Sequence, residues 1–113
     1  MGTLTYGSAP AIEVEDRLLR HLQAVIISKL RRDEPFAFNW EQAGRMADAD
    51  TASHGAIWIS RASQLYFQYD GPRTSEPLNR HWLEQLMLAS NSTHGLDPLP
   101  EPELAGSRRG AGG

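Results

Sequence analysis

Between positions 68 and 73 the chain reads Gln68-Tyr69-Asp70-Gly71-Pro72-Arg73. An Asp-Gly-x-Arg run placed two residues after a lysine is a pattern that supports covalent nucleotidyl transfer. There the lysine amine attacks the α-phosphate of ATP and carries AMP as a phosphoramidate, a task for a nitrogen lone pair. Here the position of that lysine is held by Gln68. Its amide nitrogen is conjugated with its carbonyl, so the side chain donates and accepts hydrogen bonds but is no nucleophile. Lys29, the single lysine beside ten arginines, stands in a different context. The bland reading of the same residues is a strand leaving a sheet, a turn at Asp70-Gly71-Pro72, and Arg73 pointing to water. That reading is favoured over a catalytic one.

Other chemistries are bounded by composition. The chain has 113 residues, no cysteine and a net charge of −3. Disulfides, thiolate zinc sites and cysteine nucleophiles are thereby excluded. The histidines, His21, His54, His81 and His94, show no close pairing of the kind that ligates a metal, so neither metal nor cofactor is expected. No segment has the apolar length of a membrane span, and the first residues lack the basic-then-apolar order of a signal peptide, which points to a cytoplasmic protein.

Two surfaces could bind. Arg17, Arg20, His21, Ala24, Ser28 and Arg31 share one helical stripe through steps of three or four positions, with Arg32 beside it, and the basic members of that row would meet nucleic-acid phosphates or a protein partner. A solvated helix face is the favoured reading, because the chain as a whole is acidic. Trp58 and Tyr66 fall on the outward side of their strands, where they would stack on bases or form a homodimer surface, with dimerisation ranked first.

The elements that must carry these residues follow from periodicity. Short strands at 3–6 and 11–14 flank a turn-rich spacer and suit a hairpin. Asp16 offers an N-cap, and Leu18, Leu19, Leu22, Val25, Ile26 and Leu30 recur at helical spacing up to Arg32. Asp33-Glu34-Pro35 stops that helix, and Phe36, Phe38 and Trp40 then line one face of a strand. Residues 41–55 read as a long loop. Strands at 56–60 and 65–69 follow, joined as a tight hairpin, with Leu65, Phe67 and Tyr69 on one face and Gln68 on the other. A last helix starts at the N-cap Asn79, buries Trp82, Leu83, Leu86 and Met87, and ends before Gly95, a residue suited to a left-handed cap. The expected fold is α+β, a two-layer sandwich of order β-β-α-β-β-β-α with a mainly antiparallel sheet and both helices on one face. A single domain over 1–96 precedes a tail over 97–113, which its proline- and glycine-rich composition marks as disordered.

Several segments together resemble a known family. They are Met1-Gly2-Thr3-Leu4-Thr5-Tyr6-Gly7, Ile12-Glu13-Val14-Glu15-Asp16-Arg17, Lys29-Leu30-Arg31-Arg32, Phe36-Ala37-Phe38, Asp70-Gly71-Pro72-Arg73 and Leu78-Asn79-Arg80-His81-Trp82-Leu83. In this order they look like a family of small actinobacterial proteins of unknown function, commonly labelled ATP-dependent DNA ligase. That label implies a nucleotide site in which Gln68 stands for the lysine, Asp70 and Gly71 for the following pair, and Arg73 for a nucleotide contact. No lysine follows Arg73 to grip phosphates. The expectation is a small non-catalytic binding or accessory domain with a protein partner or a second copy, and a ligase-like or ligase-associated role is the alternative.

Overall fold

The computed structural model describes residues 1–42 and 53–102. Its elements run β1 (Gly2–Tyr6), β2 (Ile12–Val14), α1 (Asp16–Arg31), β3 (Phe36–Gln42), β4 (Ser53–Ile59), β5 (Leu65–Gln68) and α2 (Arg80–Ser90). The order and the α+β class are those expected from periodicity.

Alternation in β1 and β2 places Leu4, Ile12 and Val14 inward, and the two strands pair antiparallel with Leu4 opposite Ile12. In α1, Leu19, Leu22, Val25 and Ile26 return every three or four residues and are buried. Phe36 and Phe38 alternate inward from β3, Ile59 from β4, and Trp82 and Leu86 complete the core from α2. Each helix therefore buries one stripe and each strand one side, the arrangement that closes a two-layer core.

The sheet is divided. β2-β1-β5 form one antiparallel sheet and β3-β4 another. The expected hairpin between β4 and β5 does not form. A turn does lie between them, with Ser63 N–H donating to the Ser60 carbonyl at 2.9 Å. β5 crosses instead to β1, pairing Leu4 with Phe67 and Thr5 with Tyr66. Gly2 permits this approach, because a Cβ there would lie 2.5 Å from the Gln68 carbonyl oxygen. Both ends of the expected 41–55 loop are strand, since β3 and β4 stay paired as far as Gln42 and Ser53. The rest of that loop lies outside the described residues.

Asp16 is not the N-cap of α1. Glu15 holds that position without a side-chain cap bond, and Asp16 occupies the first turn. Asn79 does cap α2, its Oδ1 accepting from the His81 and Trp82 N–H groups. Beyond α2, Gly95 adopts φ +97, and Leu96 then bridges β3, donating to the Ala37 carbonyl and accepting from Asn39 N–H.

Residues 97–102, expected to be disordered, run along the helices. Leu99 packs against the core and its carbonyl accepts from Trp82 Nε1 at 3.0 Å. Glu101 accepts from Arg17 Nε and Nη2, both at 2.9 Å, and from Asn79 Nδ2 at 3.0 Å. Residues 103–113 lie outside the described residues. No helix among those described is long and apolar enough to cross a membrane.

Candidate functional site

The Asp70-Gly71 turn leaves the end of β5 and meets the first turn of α1. There the Asp16 carboxylate accepts from Gly71 N–H at 3.3 Å, with Asp70 N–H 3.5 Å away. Asp70 itself turns to the amino group of Met1, at 3.1 Å. The backbone amides that an incoming phosphate would need are thus already directed at a carboxylate, whose charge opposes an anion there. The amine of the single lysine does not reach this turn. Lys29 lies about 20 Å further along the α1 axis than Asp16. It is buried at the other end, donating to Asn91 Oδ1 and pairing with Glu34 at 3.3 Å.

The arginine row on α1 is split by the fold. His21 is fully buried, not outward: its ring stacks on Trp82 with centroids 4.3 Å apart. Its Nε2 accepts from Asn79 N–H at 2.8 Å, so the proton is on Nδ1, which donates to the Arg17 carbonyl at 2.8 Å. Burial lowers its pKa below the ordinary value, and the bond to the Arg17 carbonyl only partly offsets this. Arg17 is committed to Glu101, whose carboxyl is pulled down to about 2, first by that bond and then by the one from Asn79. Arg31 and Arg32 are exposed near the C-terminal end of the helix. Arg20 stands apart from them, donating to the Glu76 carbonyl at 2.8 Å.

What the fold does bring together is an open groove of about 930 Å³ between α1 and β5. Arg20, Gln23, Ala24, Ile27 and Ser28 form its helical wall. Residues 65–69 form the opposite wall, and Gly71, Pro72, Arg73 and Thr74 close one end. Gln68, Gly71, Arg73, Arg20 and Tyr66 therefore share one site, although the sequence assigns them to separate readings. Trp58 is exposed on β4 and does not line the groove, its carbonyl accepting from the Tyr6 hydroxyl at 2.9 Å. Tyr69 holds the inner wall by donating to Gln23 Oε1, and burial raises its pKa.

The groove is mixed in character. Ile27 and Tyr66 are exposed apolar residues, 40% and 61% accessible, while Arg20 and Arg73 supply positive charge. Among the described residues no strand pairs with the outer side of β5. Sequence reasoning missed Ile27 and Gln23 here, and Lys29 and Glu101 elsewhere. For Lys29 a signal existed, since it follows Val25 by four and Leu22 by seven and so shares their stripe. No group of three or more potential metal ligands occurs among the described residues.

No curated protein and no solved structure matches the chain. A family model does match, over residues 1–101, and its description assigns no activity. The chain belongs to the family described as domain of unknown function (DUF7882).

Proposed function

We propose that this chain is a small non-catalytic binding domain that takes an extended polypeptide segment into the groove between α1 and β5. The observation carrying this reading is the outer edge of β5, which has no strand partner among the described residues and faces a helix wall with exposed Ile27. An added strand would satisfy the outward backbone groups of β5 while its side chains alternate between the two faces of the sheet, the physics of strand addition. Nucleotidyl transfer lacks its amine at Gln68, and Asp16 holds the amides at Asp70 and Gly71.

The test is to pan a displayed library of random short peptides against the chain at low micromolar concentration, then to map the selected peptides by amide shifts. Shifts at Leu65, Phe67, Ala24 and Ile27 are expected. For a chain that is monomeric at that concentration, recovery of no binder, or of binders that map only to Arg31 and Arg32, overturns the reading. In a parallel titration, salt-sensitive affinity for single-stranded DNA that is lost in Tyr66→Ala would overturn it in favour of base stacking.

A further inference from the structure

The register of β1 and β5 determines which backbone groups of β5 point outward. Gly7 N–H donates to the Gln64 carbonyl at 2.7 Å, so that pair is hydrogen-bonded, and by alternation so are Thr5 with Tyr66 and Thr3 with Gln68. Leu65 and Phe67 therefore turn their N–H and C=O groups away from β1. The stretch Leu65-Tyr66-Phe67-Gln68-Tyr69 holds no charged residue and no proline. Edge strands that must stay unpaired ordinarily carry one or the other.

We infer that the segment seated on this edge is a second copy of the same chain, β5 pairing antiparallel with β5 of its partner about a two-fold axis at Phe67. This rests on the groove reading above and names its occupant. A two-fold through Phe67 joins Phe67 to its own copy by a hydrogen-bonded pair and sets Leu65 opposite Tyr69. Tyr66 then faces Gln68 in a non-hydrogen-bonded pair, and no like charges meet in this register. The two three-stranded sheets become one sheet of six strands. α1 from each copy covers the junction on the same face, where Ile27 gains an apolar neighbour and the small Ala24 and Ser28 allow close approach.

The other edges fit a second copy less well. Pairing of β2 with itself about its middle residue would set Glu13 against Glu13, a repulsion between like charges. The outer side of β3 is taken by Leu96. On β4 the Trp58 carbonyl is occupied by the Tyr6 hydroxyl.

Two measurements decide it. Light scattering on the purified chain should give about twice the 12.5 kDa chain mass. Because the chain has no cysteine, single variants Tyr66→Cys and Gln68→Cys give clean cross-links. Oxidised together they should form the mixed disulfide roughly tenfold faster than either forms its own, since directly opposed positions meet disulfide geometry and diagonal ones do not. A monomeric mass, or a dimer in which mixed and self cross-links form at equal rates, overturns the inference. A monomer that still takes selected peptides on Leu65 and Phe67 removes self-pairing and leaves the groove reading standing. A monomer that takes none removes both.

Discussion

His21 sits between two polar partners that allow it one protonation state. Asn79 N–H points at Nε2, so a second proton would set donor against donor in a site closed to water. Its folded pKa lies below the ordinary 6.5, so stability from this residue is present in full above that value and declines as pH falls below it toward the folded pKa. Urea unfolding followed by tryptophan fluorescence from pH 8 to about pH 5 should show this decline. His21→Phe should flatten it by removing the titrating group, whatever its effect on absolute stability. Among the charged groups that act on the ring, Arg17 and Arg20 oppose protonation and Glu101 favours it.

At the scale of elements, α2 depends on its cap. Asn79→Ala removes the acceptor for His81 and Trp82 N–H and should cost about 1 kcal/mol, read as a shift in urea midpoint at unchanged slope. That cap was legible in the sequence, as were both helices and all five strands, because each rests on local signals: a capping residue, a 3.6-residue stripe, a two-residue alternation. Strand partners were not legible in the same way. The inward alternation of Leu65 and Phe67 suits either β4 or β1, and only the assembled core selects β1. His21 was assigned outward for a related reason. It precedes Val25 by four and follows Leu18 by three, at the border of the buried stripe, and the stacked Trp82 that draws it inward comes from another helix. The groove was half legible: Gln68, Gly71, Arg73, Arg20 and Tyr66 were singled out one by one, but Ile27 and Ala24 acquire meaning only once β5 lies beside α1.

Across the whole molecule, residue 101 is tied back to residue 17. The two Glu101 bonds to Arg17 close a separation of 84 positions and also hold Asn79. Glu101→Ala removes both hydrogen bonds to the Arg17 guanidinium, whose Nη1 is already buried without one, and leaves it Glu76 at 3.6 Å as the remaining carboxylate. The expected loss is on the order of 1 kcal/mol, the pair being partly exposed and thus screened. Because the folded pKa of Glu101 is about 2 against an ordinary 4.5, its contribution is present above 4.5 and disappears as acid takes the pH down through 2. Acid titration of the wild type and the variant should therefore converge at the low end of that window, well below the range in which His21 acts.

β1 is the middle strand of its sheet, yet its two neighbours are made at very different times. β2 emerges within a few residues of it, whereas β5 begins only at Leu65. On the ribosome, more than half of the chain must be synthesised before the second side of β1 finds its match. Until then a nascent hairpin displays an unsatisfied ladder, and closing the sheet waits on a contact of long sequence range. Refolding of the isolated protein should accordingly be limited by the docking of β5, and a chaperone that shields β1 would act on the species in which that docking is incomplete.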